Sequence, residues 1–166
     1  MIVIQYNCQK AYPVTIAALE AGIELNADFI CLQEPYIGQY AFSHPGYHLR
    51  WPYKGKDREK RVLIAIKKDL TNILIENRID LVNYPYIIAI DIWELHNKTK
   101  RKIRRTRLIN YYNQIIGPDT IYPEGELRRR AIEDINWHLL IQGRVVLLGD
   151  FNAYSHYWNP LINTSS

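Results

Sequence analysis

Asn7, Glu34, Tyr112, Asp150 and Asn152 stand where apolar runs give way to polar chain. They are the residue types that hydrolysis of a phosphodiester needs. Water must attack an anion and an alkoxide must leave, so a hard cation held by carboxylate oxygen offsets the charge. Amide and phenol donors can hold the phosphate oxygens without competing for that cation. Asp150 and Asn152 belong to Gly149-Asp150-Phe151-Asn152, directly after the aliphatic run Val145-Val146-Leu147-Leu148. Two residues apart in extended chain, they point the same way, and Gly149 permits a close backbone approach. The same tetrapeptide can equally be a polar turn closing a strand. Taken singly, Asn7 and Tyr112 read as readily as strand-end hydrogen-bonding groups.

The elements that would position these groups follow from the pattern of apolar residues. Ile2-Val3-Ile4 predicts a first strand ending at Tyr6-Asn7, and Asp28 to Pro35 a second that stops on Gln33-Glu34. Between them, Pro13 suits a first helical turn, and Val14 to Leu25 supplies a crossover helix. Residues 36–60 read as a long irregular segment with a short strand at Tyr47 to Trp51. Its Tyr36, Tyr40, Tyr47, Trp51 and Tyr53 can stack on bases or sugars, but packing against a sheet is their commoner use. Strands are predicted at Val62–Ile66, Asn72–Glu76, Tyr86–Trp93 and about Ile103–Tyr112, the last two as an antiparallel hairpin. Ile88, Ile90 and Ile92 alternate with Ala89, Asp91 and Trp93. Leu127, Ala131, Ile135 and Leu139 repeat every four residues and predict a helix over Glu124–Gln142, terminated by Gly143. Val145–Leu148 then reads as a strand buried on both faces. Strand, helix, several strands, helix and strand in this order make a layered α/β sandwich.

At 166 residues, 48% apolar and 23% charged, the composition is that of one ordinary globular domain over residues 1–166. No run reaches the length of a membrane span, and the apolar start at Met1–Tyr6 is too short for a secretion signal. An intracellular protein is expected, nuclear or cytoplasmic, not secreted, with no membrane partner and no obligate protein partner. Cys8 and Cys31 lie in or after apolar runs without metal-ligand spacing and read as small core residues. The net charge of +4 is unevenly spread. Lys98, Lys100, Arg101, Lys102, Arg104, Arg105 and Arg107 crowd one predicted turn, and Lys54, Lys56, Arg58, Lys60 and Arg61 form a second cluster. Either can attract a polyanion such as DNA, and either can be a solvated hairpin tip.

Asn7, Gln33-Glu34, Tyr112 in Leu-Ile-Asn-Tyr-Tyr, and Gly149-Asp150-Phe151-Asn152-Ala153 together resemble the ordered motifs of the endonuclease/exonuclease/phosphatase superfamily. Ala153 and Trp158 add a likeness to the endonuclease domains of non-LTR retrotransposons. The resemblance implies a four-layer sandwich of two packed, mostly antiparallel sheets between helical layers, and a magnesium-dependent endonuclease, with Mn2+ an acceptable substitute. Glu34 would be the principal metal ligand, with Asn7 beside it. Asp150 would orient or deprotonate the attacking water, Asn152 would bind the phosphate, and Tyr112 would contact the scissile phosphate. The basic turn from Lys98 to Arg107 would touch the DNA backbone. A 3′-hydroxyl left by the nick would serve a reverse transcriptase encoded by the same element.

The departures are specific. The superfamily has a further Asp and a Ser-Asp-His motif near its C-terminus, whereas Phe151 to Ser166 holds no acid and only His156. His156 reads as structural or substrate-side. Tyr154 stands where the retrotransposon pattern has His, and Asn159 where it has Gly. A C-terminally incomplete domain is therefore expected, lacking the strands that flank the one ending at Asp150, with weak or no activity. Two alternatives follow: a non-catalytic nucleic-acid-binding remnant, and a phosphatase or phospholipase of the same superfamily.

Overall fold

The computed structural model describes residues 1–38, 43–53, 60–113 and 135–151. Strand β1 (Val3–Asn7) leads into helix α1 (Tyr12–Glu24), followed by β2 (Phe29–Gln33), β3 (Tyr47–Arg50), β4 (Val62–Lys67), β5 (Ile73–Asn77), β6 (Ile87–Leu95) and β7 (Lys102–Tyr112). A single helical turn, α2 (Trp137–Leu140), precedes β8 (Val145–Asp150). The strands form two mixed sheets of four, ordered β1-β2-β4-β3 and β5-β6-β7-β8. The expected sandwich is thus present. It combines antiparallel hairpins with one parallel pair in each sheet, β1 with β2 and β7 with β8.

Three apolar clusters define the layers. Phe29, Cys31, Ile64, Ile66, Ile88, Ile90, Ile92 and Leu108 fill the space between the sheets. Leu19 and Ala18 of α1 cover Ile30, Leu32, Leu63 and Ala65 on the outer face of the first sheet. Ile135 and Leu140 cover Ala89, Ile109 and Tyr111 on the outer face of the second. The alternation in β6 therefore means what period two implies: Ile88, Ile90 and Ile92 face inward and Ala89 outward. Both cysteines are buried and unbridged, as small core residues. Tyr47 and Trp51 pack with the α1 cluster, Tyr36 meets Tyr12 edge to face, and Tyr53 is exposed. Tyr40 lies outside the described residues.

Two expectations need correction. The helix predicted over Glu124–Gln142 is described only from residue 135 onward, and there it is not continuous. Asn136 caps a new turn, its side chain accepting from Leu139 N at 3.3 Å, so the four-residue repeat loses phase. Leu139 is consequently exposed and Leu140 fully buried. Strand β8 is half-buried along its whole length. Among the described residues it pairs with β7 alone. Val146 and Leu148 reach the inter-sheet core, while Val145 and Leu147 pack with the outer cluster.

Candidate active site

The two parallel pairs bring four functional side chains to one end of the sandwich. Parallel strands run out together, so β1 and β2 end with Asn7 opposite Gln33, and β7 and β8 end with Tyr112 opposite Asp150. Pleat parity then selects the face. Val3 on β1 and Leu108, Val146 and Leu148 on the second sheet face the inter-sheet core, and Asn7, Tyr112 and Asp150 share their parity. The sheets are stitched across the gap at this end. Asn7 Nδ2 donates to Asp150 Oδ2 at 2.8 Å, and the Tyr112 hydroxyl donates to Glu34. Burial, reinforced by the charges of Glu34 and Asp150, pushes the Tyr112 phenol up to about 12, against a smaller pull from Arg61. Tyr112 therefore keeps its proton at neutral pH and remains a donor.

The loops under these groups are held in uncommon backbone. Gln9 (φ 48°), Lys10 (φ 58°) and Glu34 (φ 44°) are all left-handed without being glycine. Such residues persist where surrounding bonds over-determine them, commonly at functional sites. Here Gln9 N donates to Asn7 Oδ1 at 3.0 Å, Lys10 N to Glu34 O at 2.7 Å, and Cys8 N to Gln33 O at 2.8 Å. Those bonds lock the exits of β1 and β2 to each other. Glu34 N also donates to Arg61 O at 2.7 Å, and Lys10 Nζ lies 3.3 Å from Glu34 Oε1.

An amide layer supports the site from beneath, with Gln33 and Asn110 fully buried and Gln5 at its exposed edge. Gln5 Nε2 donates to Gln33 Oε1 at 2.9 Å, Gln33 Nε2 donates to Asn110 Oδ1, and Asn110 Nδ2 donates to Leu32 O at 2.9 Å and Leu63 O at 2.8 Å. Asn110 thus crosses from the second sheet to the backbone of the first, one residue layer below Tyr112. The available signal was period two: Asn110 and Tyr112 are two apart, so an amide inside an apolar strand must share the inward face. Gly149 is required for a related reason. A Cβ there would lie 2.1 Å from the Tyr111 carbonyl oxygen, so only glycine lets β8 lie against β7 at this point.

Asn152 lies outside the described residues, as do Lys54, Lys56 and Arg58. The basic turn is remote from these strand ends. Strand β7 has 11 residues, a span of roughly 33 Å, and the turn sits at the end opposite Tyr112. Arg107 is a correction to the expected DNA-contact set. It is buried, donates to both Asp91 oxygens at 2.7 and 3.1 Å, and caps the Leu139 and Leu140 carbonyls at 3.1 and 2.9 Å. Cross-strand register explains this, since Asp91 stands opposite Arg107. Arg104 likewise pairs with Glu94, and Lys102 with Glu76 at 2.5 Å. Arg105 reaches Gln142 O at 2.9 Å, and Lys100 Nζ reaches Asn72 Oδ1 at 2.7 Å. Lys98 and Arg101 are exposed at the tip.

The profile of the Endonuclease/Exonuclease/phosphatase family matches residues 4–164. The chain belongs to this family. Its hydrolytic, nuclease and phosphatase chemistry suits a site of carboxylates, amides and a phenol at the strand ends. Comparison with curated proteins gives no match. Among solved structures, the endonuclease domain of TRAS1, a telomere-specific non-LTR retrotransposon, is similar with a TM-score of 0.61 at 20% identity. The likeness covers 94% of this chain and 61% of that one, so the chain spans less than two thirds of its structural relative. Among the described residues, no helix is long and apolar enough to cross a membrane. None of them form a group of three or more His, Cys, Asp and Glu side chains suited to a metal.

Proposed function

We propose that this chain, as one domain, is a DNA-nicking endonuclease of retrotransposon type that depends on a divalent metal. The observation that carries this reading is the convergence of Asn7, Glu34, Tyr112 and Asp150 where two parallel strand pairs end face to face. The donor set fits a hard ion. Glu34, Asp150 and Asn7 offer oxygen, and Mg2+ is commonly held by one or two carboxylates, with water and substrate phosphate completing its shell. Glu34 Oε1 already faces a cation, the Lys10 ammonium. Glu34 and Asn7 would hold Mg2+, or Mn2+ in its place. The ion would neutralise the phosphate and the departing oxygen.

The chain's own groups divide the remaining work. Asp150, oriented by the Asn7 amide, positions or deprotonates the attacking water. Tyr112 donates to a non-bridging phosphate oxygen, and Asn152, two residues beyond Asp150, is assigned to the same phosphate. The water oxygen bonds to phosphorus, the P–O3′ bond breaks, and the proton ends on the departing oxygen as a 3′-hydroxyl. A reverse transcriptase would be the consumer of that end.

The test is conversion of supercoiled plasmid to open circles, with Mg2+ or EDTA, by the wild-type chain and by Glu34→Ala. Magnesium-dependent nicking lost in Glu34→Ala supports the proposal. Saturable DNA binding without nicking, indifferent to Mg2+ and to Glu34→Ala, would instead make the chain a binding remnant. Turnover of a soluble phosphoester without DNA cleavage would make it a phosphatase.

A further inference from the structure

We propose that the substrate's phosphate backbone is gripped by Lys10 and Arg61, which flank Glu34, and that the basic β6–β7 turn takes no part in this contact. The inference rests on the endonuclease reading and names the binding surface of that same site.

A site that carries Glu34 and Asp150 repels a polyanion unless cations stand close by. Two reach it. Arg61 extends the β2–β4 pairing, in which Gln33 stands opposite Val62, by one step and so lies across from Glu34. Its carbonyl accepts from Glu34 N at 2.7 Å and its N–H donates to Pro85 O at 2.8 Å, so its backbone is fixed on both sides. Its charge is felt at the Tyr112 phenol. Lys10 arrives from the other flank, out of the left-handed turn after β1, with its ammonium 3.3 Å from Glu34 Oε1. The Lys10 side chain is 57% exposed and that of Glu34 15%, so the ammonium sits on the solvent side of the carboxylate, where a substrate arrives.

Two consecutive left-handed residues are a costly way to reach α1, and the bonds from Gln9 N to Asn7 Oδ1 and from Lys10 N to Glu34 O hold them there. What that conformation achieves is the delivery of one cation to Glu34. A divalent ion on Glu34 would repel the Lys10 ammonium and free it for a phosphate. The β6–β7 turn offers no such arrangement. Glu76, Glu94 and Asp91 already engage Lys102, Arg104 and Arg107 there. It also lies a full β7 length away, roughly 33 Å, or about one turn of duplex DNA from the strand ends.

The experiment is equilibrium binding of a fluorescent duplex across a salt series at a fixed, non-cleaving level of Ca2+, supplied in place of Mg2+ as the divalent ion for Glu34, with plasmid nicking in Mg2+ run alongside. Each phosphate contact contributes about 0.9 to the slope of log K against log salt. Lys10→Gln and Arg61→Gln should each flatten the slope by about 0.9. Lys10→Arg and Arg61→Lys should restore it, which a merely structural role would not do. Lys98→Gln with Arg101→Gln should leave it as in wild type. If variants that retain wild-type circular dichroism keep the wild-type slope, or if the turn variants flatten it instead, the inference falls while the endonuclease reading stands. If the wild-type chain neither binds nor nicks DNA, the endonuclease reading fails first and takes the inference with it.

Discussion

Replacing Asn110 by Leu tests whether the amide layer holds the two sheets together under the site. Leu keeps the branched outline of Asn with bulkier methyl ends, so the change removes hydrogen bonds and opens no cavity, and any overpacking adds to the loss. Three are lost: the donations from Asn110 Nδ2 to Leu32 O and to Leu63 O, and the acceptance from Gln33 Nε2. Asn110 and Gln33 are fully buried, so water cannot replace the missing partners. A buried polar group left unpaired costs about 1–3 kcal/mol. Taking the low end for each of the three gives a loss of about 3 kcal/mol. That is a large part of the roughly 5–15 kcal/mol that holds a typical domain together. Urea unfolding followed by far-UV circular dichroism should show a lower midpoint with unchanged m-value, and the melting temperature should fall by about 6–12 °C. Gln33→Leu combined with Asn110→Leu should cost less than the sum of the single changes, because each single change strands the other's amide. A loss below about 1 kcal/mol for Asn110→Leu, or strict additivity in the double variant, would refute this account of the layer.

Gly149→Ala should be among the most damaging small substitutions, because its methyl group would meet the Tyr111 carbonyl at 2.1 Å. A loss of about 3 kcal/mol or more by urea unfolding is expected, with little soluble protein at 37 °C. Asp91→Asn should cost about 3–5 kcal/mol at pH 7 by leaving buried Arg107 and its neighbour Arg78 without their carboxylate. Burial opposes the Asp91 charge, but hydrogen bonds from Arg107 and Arg78 outweigh it and hold its pKa below the usual carboxylate range. Its contribution is therefore complete above about pH 4 and lost as pH falls through the depressed value. Wild type and Asp91→Asn should accordingly converge in an acid titration of stability. Tyr112→Phe should lower the nicking rate by about 100-fold with near-native stability at pH 7. Because the Tyr112 phenol is raised to about 12, wild-type stability should fall as pH climbs from about 10 towards 12.

The strands were legible because apolar period and turn residues mark them directly, and β1, β2, β4 and β8 end where polar residues interrupt aliphatic runs. Convergence of Asn7, Glu34, Tyr112 and Asp150 was legible for the same reason: each ends a strand, and parallel pairs end together. The expectation of a helix through Gln142 fails from residue 135 onward because the apolar repeat persists through Asn136, whose side chain caps a single turn, Trp137–Leu140. Arg107 misled because charge counting along a strand ignores the cross-strand partner, and only register shows that Asp91 lies opposite. Lys10 and Arg61 stayed unremarked at the site for the converse reason. Their neighbours in sequence say nothing of Glu34, which the backbone bonds at the ends of β1 and β4 bring beside them.

The central claim is that Asp150 and its partners form one hydrolytic site. Its most direct test is Mg2+-dependent nicking of supercoiled plasmid by the wild-type chain against Asp150→Ala, with folding of both verified by circular dichroism. The account predicts open circles with wild type and Mg2+, none with EDTA, and none with Asp150→Ala. Equal nicking by Asp150→Ala, or none by well-folded wild type, would contradict it.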